Sequence, residues 1–182
     1  LPKSNHGKER AIPSLNIGEE RPSAARAIPD GAKESHWIAP DHFPIRRIDW
    51  KISQDAARGS ILFLAGRGDA YEKYIETLDY WASEGWYVTA LDWRGQGGSG
   101  RLGHDRVTGH VSDFSVWTDD LQHFWQEWVR QVPGPHVLAG HSMGGHLVLR
   151  AAAEQLLQPD ALILSAPMLG LGPKRVPVGI LH

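Results

Sequence analysis

The sequence predicts an α/β fold in which a mostly parallel sheet is covered by helices on both faces. Short apolar runs at 60–65 and 161–165 alternate with segments of helical periodicity at 71–84 and 114–132. This repeated order of strand and helix is typical of parallel strands joined by crossover helices. A third observation is the apolar strand at 137–139, which passes through a glycine-rich turn directly into an Ala-rich helical segment.

Composition limits the classes of protein to consider. The chain has 182 residues, of which 41% are hydrophobic and 22% are charged, values typical of one ordinary soluble domain. The net charge of −2, without a basic stripe, argues against a nucleic-acid partner. The absence of cysteine excludes disulfides and thiol catalysis, and no spacing typical of metal ligands is present. We therefore expect neither a metal nor a cofactor.

The chain divides into two parts. Residues 1–35 are rich in Pro, Gly, Ser and charge and lack periodicity, which predicts a flexible N-terminal tail. Residues 36–182 are interpreted as the N-terminal part of one core domain. Within them, 45–52 shows the partial alternation of an outer strand, and 86–91 is the strand that follows the first helix.

The segment Gly140-His141-Ser142-Met143-Gly144 fits the pattern G-x-S-x-G between the strand and the helix. A strand that turns into a helix so abruptly forces Ser142 into a strained, projecting conformation, for which Gly140 and Gly144 leave room. The serine hydroxyl then lies at a helix N-terminus, where unpaired N–H groups favour developing negative charge. The pattern therefore predicts a nucleophile elbow with Ser142 as the catalytic residue. The alternative, a turn without chemistry, is disfavoured by the flanking strand and helix.

An acyl-transfer serine also needs a base, a group that orients the base, and donors for the oxyanion. One donor would be the backbone N–H of Met143, the residue after the nucleophile. The other would come from the loop 65–69, which follows the strand at 60–65, with the Arg67 N–H as the candidate and Gly66 beside it. An ordinary glycine turn is the alternative interpretation of this loop.

Several motifs, in order along residues 40–172, carry a resemblance to a known family. They are Gly66-Arg67, Tyr71-Glu72-Lys73-Tyr74, the segment 92–101, Gly109-His110-Val111, Asp113-Phe114, Gly140-His141-Ser142-Met143-Gly144-Gly145 and Ser165-Ala166-Pro167-Met168. With them the chain resembles the serine-hydrolase branch of the α/β-hydrolase superfamily that holds monoacylglycerol lipases and bacterial lysophospholipases of the L2 type. The α/β-hydrolase fold is therefore expected.

The resemblance implies a serine carboxylester hydrolase that acts on monoacyl lipids through an acyl-enzyme on Ser142. It also implies that Arg67 and Met143 form the oxyanion hole. Ala65 stands where monoacylglycerol lipases carry histidine, which leaves substrate choice open. Two alternatives remain: an acyltransferase or other ester hydrolase on the same fold, and an inactive truncated fragment with a binding or assembly role.

A competing pattern lies at 95–100, which matches G-x-G-x-x-G after a strand, with Asp120 twenty residues after Gly100. A dinucleotide site requires this loop to open a helix whose N-terminus holds the pyrophosphate. Residues 101–105 instead continue as a loop. Nucleotide binding is therefore disfavoured.

The acid and the base of the triad have no good candidates in this chain. In this fold they follow the serine in sequence, where the chain offers Glu154, Asp160, His146 and His182. Each is on the nucleophile's own helix, at the wrong end of a strand, or at the last residue. We therefore expect the N-terminal part of a larger hydrolase, whose lid and last strands lie beyond residue 182. A C-terminal segment or a second chain would supply the missing Asp and His.

Two further histidines are candidates for lining the pocket. His141 lies inside the elbow and His110 in the glycine-rich loop. The expected partner is a small-molecule or lipid ester. No apolar run has the length of a membrane span, so we expect a cytoplasmic location, with contact at the inner face of the membrane as an option. Core packing is the preferred interpretation of four tryptophans: Trp81, Trp117, Trp125 and Trp128.

Overall fold

The computed structural model describes residues 27–103 and 109–170, which contain one six-stranded sheet. The strands, in chain order, are β1 Ala32–Ile38, β2 Pro44–Trp50, β3 Ser60–Leu64, β4 Tyr87–Leu91, β5 His136–His141 and β6 Ala161–Ser165. Across the sheet they follow the order β1-β2-β4-β3-β5-β6. The last four in this order run parallel, whereas β2 is antiparallel to both of its neighbours. The predicted mostly parallel sheet is confirmed.

Three helices connect the parallel strands. They are α1 Ile75–Ser83, α2 Ser115–Trp128 and α3 Met143–Ala153. The helix predicted over 71–84 begins as a 3-10 turn at Tyr71–Tyr74 before α1. The helix predicted over 114–132 ends at Trp128, four residues earlier than expected.

The helices cover both faces of the sheet, and β3 shows this directly. Leu62 and Leu64 belong to the core formed with α2 and α3, whereas Ile61 and Phe63 belong to the core formed with α1. Every residue of β3 is therefore buried. A strand buried on both faces has no polar side to show, which explains its continuous apolar run.

Strand β1 starts at Ala32, within the segment that the sequence assigned to the tail. Its side chains are mostly exposed, because β1 lies at the edge of the sheet and pairs only with β2 among the described residues. Trp37 is its buried anchor, and its indole N–H donates to Glu127 of α2 at 2.9 Å. Residues 1–26 of the predicted tail lie outside the described residues.

The packing interpretation of the tryptophans is confirmed for α2. Trp117, Trp125 and Trp128 are each at most 5% exposed. The indole N–H of Trp117 donates to the Arg94 carbonyl, and that of Trp128 to the Thr89 hydroxyl, both at 2.9 Å. The three side chains therefore pack in the core, and the indole N–H groups of Trp117 and Trp128 are hydrogen-bonded there. The fourth, Trp81 in α1, is half-buried against the other core.

At the other edge of the sheet, β6 pairs with β5 alone within the described residues. Its side chains Leu162 and Ile163 are 37% and 41% exposed. In the described part of the chain, no helix is both long enough and apolar enough to cross a bilayer.

Candidate active site

Ser142 lies at the junction of β5 and α3, as the elbow motif predicts. Strand β5 ends at His141 and α3 begins at Met143, so Ser142 alone makes the turn. Its backbone has φ 53° and ψ −116°, a conformation that side-chain-bearing residues rarely adopt. The residue is partly exposed, so its hydroxyl is placed on a strained, accessible turn at the N-terminus of a helix.

The two elbow glycines are required by close backbone contacts. A Cβ added to Gly140 would lie 2.7 Å from the backbone of Gly144, and one added to Gly144 would lie 2.9 Å from the carbonyl carbon of Leu64. Both distances are shorter than real Cβ contacts. The glycines therefore let α3 start directly against the ends of β5 and β3.

The segment after β6 fixes the elbow from the other side. The Ser142 N–H donates to the Ser165 carbonyl at 3.0 Å, and the Ser142 carbonyl accepts from the Met168 N–H at 2.9 Å. The backbone of Pro167 lies against Gly145, where an added Cβ would be 3.2 Å away. Residues 165–168 thus hold both backbone groups of the strained Ser142 by hydrogen bonds. In the sequence they stand out only as part of the family resemblance. Their spacing carries no periodic signal that predicts this contact.

The loop after β3 lies beside the nucleophile. A Cβ added to Gly66 would be 3.2 Å from both the Ser142 Cβ and the His141 Nδ1 atom. Arg67 follows with an exposed side chain, and Gly68 has a φ of 73°. Gly66, Arg67, Ser142 and Met143 are thus brought to one edge of the sheet.

Two side chains that follow β4 hold this loop at its ends. The Trp93 indole N–H donates to the Ala65 carbonyl at 2.8 Å, and the Tyr71 N–H donates to the Asp92 carboxylate at 3.0 Å. Sequence reasoning assigned no role to either side chain. Their partners are more than twenty residues away, so no local pattern identifies them.

Asp92 is fully buried and is the centre of a hydrogen-bond network. Its carboxylate also accepts from the Gly98 N–H at 2.7 Å and from the Arg46 guanidinium at 2.8 and 2.9 Å. Burial raises the pKa of the Asp92 carboxyl, which these donors and the positive charge of Arg46 counteract. The glycine-rich loop at 95–100 therefore wraps a carboxylate of its own chain. It opens no helix among the residues described, since α2 begins at Ser115.

A cluster of polar side chains lies against Gly66. The Tyr74 hydroxyl is 2.6 Å from Asp69 Oδ2 and 2.7 Å from His141 Nδ1, and Lys73 donates to Asp69 at 2.8 Å. Burial raises the pKa of the Tyr74 hydroxyl, and its hydrogen bond to Asp69 raises it further. For Asp69, burial is offset by the bonds from Lys73 and Tyr74, so its pKa is lowered from 3.8. His141 is thus held beside the nucleophile, and the pocket role predicted for it stays a prediction.

The two acids downstream of Ser142 are engaged in other contacts. Glu154 pairs with Arg150 on α3 at 2.8 Å. Asp160 accepts from the His136 N–H at 2.6 Å, at the end of β5 opposite Ser142. His146 is one turn along α3 and is half-buried, and His182 lies outside the described residues.

His110 is exposed, and its backbone carbonyl lies against Gly95 of the glycine-rich loop. Its proposed place in the pocket stays a prediction. In the described part of the chain, no group of three His, Asp or Glu side chains is arranged to hold a metal ion.

A serine on a strand-to-helix turn, at the carboxyl edge of a parallel sheet and beside a loop of the neighbouring strand, defines the α/β-hydrolase fold. The profile of the family described as serine aminopeptidase, S33 (Hydrolase_4) matches residues 55–181. The chain belongs to this family.

Relatives and solved structures agree with this assignment. The chain is 37% identical to lysophospholipase L2 of Escherichia coli (strain K12) over 142 residues, which cover 76% of the chain and 40% of that protein. It is 32% identical to phospholipase YtpA of Bacillus subtilis (strain 168), over 67% of the chain and 45% of the relative.

A soluble variant of monoglyceride lipase from Saccharomyces cerevisiae, solved with a substrate analog, superposes with a TM-score of 0.63. That likeness has 23% identity, covers 81% of this chain and 48% of the other, and shows the fold. The chain therefore spans less than half the length of these proteins.

Proposed function

We propose that the protein containing this chain is a serine ester hydrolase that acts on monoacyl lipids through an acyl-enzyme on Ser142. The observation that carries the proposal is the strained backbone of Ser142 between β5 and α3, directly against Gly66. The lysophospholipase and phospholipase named above, and a monoacylglycerol lipase of Mycolicibacterium smegmatis (strain ATCC 700084 / mc(2)155) at 31% identity, support the substrate class. The cytoplasmic location stays a prediction.

In the proposed reaction, the Ser142 hydroxyl attacks the ester carbonyl while a base takes its proton. The carbonyl oxygen becomes an oxyanion, which the backbone N–H groups of Arg67 and Met143 stabilise. The Met143 N–H is at the first position of α3 and has no acceptor within the helix. The alcohol leaves with the proton, and water then releases the fatty acid by the same steps.

The base and its orienting carboxylate are proposed to come from a segment or a second chain outside the described residues. Among the described residues, the acids and histidines downstream of Ser142 are engaged elsewhere or lie along α3. His141 contacts Tyr74 through Nδ1 and precedes the nucleophile on the strand. None matches the roles of a base above the hydroxyl and its partner.

A fluorophosphonate probe tests the nucleophile in the intact protein, as its source produces it. We expect one label, which maps to the peptide carrying Ser142 and is abolished by Ser142→Ala. Ser165→Ala is the matched control, because Ser165 is exposed and hydrogen-bonds to Ser142 only through its backbone. A folded, intact protein that stays unlabelled contradicts the proposal.

Product analysis tests the substrate class. With a lysophospholipid or a monoacylglycerol, the wild type should release free fatty acid in water. With glycerol competing, a predominantly esterified product would instead favour the acyltransferase alternative. A labelled enzyme that cleaves only short, soluble esters would contradict the monoacyl-lipid assignment.

A further inference from the structure

Gln96 connects the glycine-rich loop to the loop beside the nucleophile. Its side-chain oxygen accepts a hydrogen bond from the Gly68 N–H across 28 residues of sequence. This bond lies one residue after Arg67, and the bond from Trp93 to the Ala65 carbonyl lies two residues before it. The candidate oxyanion donor is therefore held from both sides by residues that follow β4.

The amides around Arg67 differ in their partners. The Gly68 N–H is bonded to Gln96. No hydrogen-bond acceptor for the Arg67 N–H is found among the described residues. The Arg67 amide is thus available to a ligand.

We propose that Gln96 is a positioning residue, whose side-chain oxygen fixes the Gly68 amide so that the Arg67 N–H is directed at the oxyanion site. This inference rests on the proposed function of Ser142. It gives the glycine-rich loop a role in the chemistry, in place of the nucleotide binding that its pattern suggests. Gln96 touches no substrate in this account and acts only through the loop.

The surroundings of Gln96 support a positioning role over simple packing. The residue is 1% exposed, and its side-chain NH₂ group has no partner among the described residues. Because a backbone N–H can only donate, the oxygen must face Gly68, and the NH₂ group is the one left unpaired. An unpaired buried NH₂ group costs folding free energy, which offsets the stabilisation by the Gly68 bond, so an apolar side chain of similar length should change stability little.

The side chain is also restrained in place. The Gln96 N–H donates to the Trp93 carbonyl and its carbonyl accepts from the Ser99 N–H, both at 2.9 Å. On the far side, a Cβ added to Gly109 would be 3.0 Å from the Gln96 Cγ. A restrained acceptor of this kind can hold an amide in orientation before any charge develops, which is the condition for oxyanion stabilisation.

The test compares Gln96→Met with Gln96→Glu in the intact protein. Methionine keeps the length and removes the acceptor, whereas glutamate keeps an acceptor oxygen. Loss of one oxyanion donor lowers kcat by about 10²–10³-fold, so its misalignment in Gln96→Met should lower kcat by about 10–100-fold with little change in KM. Gln96→Glu should restore most of kcat. Gln122→Met is the matched control, because Gln122 also bonds a backbone group, the Leu156 carbonyl, away from the site.

Two readouts separate positioning from structural support. An ester and the corresponding thionoester differ only in the carbonyl atom, and sulfur is a weak hydrogen-bond acceptor. Gln96→Met should therefore reduce the preference for the oxygen ester, whereas general damage would slow both substrates equally. Its urea midpoint should stay close to that of the wild type, because loss of the Gly68 hydrogen bond and removal of the unpaired NH₂ group act in opposite directions.

If Gln96→Met slows the ester and the thionoester equally, the preference for the oxygen ester is unchanged. That result overturns the positioning role. If Gln96→Met does not fold, the same comparison is made with Gln96→Leu, which also removes the acceptor oxygen and should likewise reduce the oxygen preference. A wild type that has no activity and takes no label refutes the proposed function itself. An active wild type with an unaffected Gln96→Met refutes only this inference.

Discussion

The substitution Gly144→Ala tests the packing of the elbow. Helix propensity predicts that it raises the free energy of unfolding, whereas the close packing predicts that it lowers it. Gly144 is the second residue of α3, where alanine alone would stabilise the helix by about 1 kcal/mol. The new Cβ, however, would lie 2.9 Å from the Leu64 carbonyl carbon, and ordinary contact begins at 3.4 Å. Because the carbonyl oxygens of Ala65 and Leu64 lie nearer still, the elbow must move by more than 3.4 − 2.9 = 0.5 Å. Overpacking of this kind costs about 1–3 kcal/mol, so we expect a net loss of about 1–2 kcal/mol.

The assay for Gly144→Ala has two parts. Urea unfolding of the intact protein gives the stability change, and the rate of fluorophosphonate labelling reports the position of Ser142. A displacement near 1 Å at a reacting centre lowers rates by about 100-fold, so a drop of about 10–100-fold is expected. Gly170→Ala is the control, because no described residue comes within 4 Å of a Cβ added there. A Gly144→Ala protein that is more stable than wild type and labels equally fast would refute the close packing of the elbow.

Three further predictions concern the residues that support the site. In a urea titration, Asp92→Ala should lower the free energy of unfolding by about 3–5 kcal/mol, because it leaves Arg46 and two backbone N–H groups without their buried acceptor. The control Glu154→Ala should lower it by less than about 1 kcal/mol. The pKa of Asp69 is lowered from 3.8, so its contribution to stability is present above that pH and is lost as the pH falls through the lower folded value. Asp69→Asn should therefore be less stable than wild type at neutral pH, and thermal melts should show the gap closing in acid. Tyr74→Phe should cost about 1–2 kcal/mol by loss of its bonds to Asp69 and His141, and a chemical-denaturation midpoint equal to that of wild type would contradict this.

Short apolar runs predict the parallel strands well, and the run predicted at 161–165 coincides with β6 although its side chains are mostly exposed. The runs predicted at 60–65 and 86–91 agree with β3 and β4 to within one residue at each end, because full burial requires unbroken apolar sequence. Strand β1 was not predicted, since it is an edge strand with charged, exposed side chains and a single buried anchor, Trp37. Its place in the sheet is fixed by pairing with β2, which leaves no periodic pattern in the sequence.

In the candidate site, too, the features that the sequence predicts are local, whereas the contacts between residues distant in sequence are not predicted. The elbow motif lies within five consecutive residues, so the strained turn at Ser142 could be predicted, whereas its hydrogen bonds to residues 165–168 could not. The supports of the neighbouring loop join residues far apart in sequence, such as Arg46 with Asp92 across 46 positions and Gln96 with Gly68 across 28. A single sequence carries no periodicity for such pairs, so their contacts become visible only in the folded chain.

Arg46 belongs to β2, near the outside of the sheet, yet its guanidinium ends on the same carboxylate that receives the Tyr71 amide. A protein engineer who recharges the outer strands to improve solubility would select this arginine by its place on β2 alone, although its side chain is only 19% exposed. Random mutagenesis should instead recover substitutions at position 46 as catalytic defects, three strands away from the strand that carries the nucleophile. Libraries built on this scaffold should leave that position unchanged.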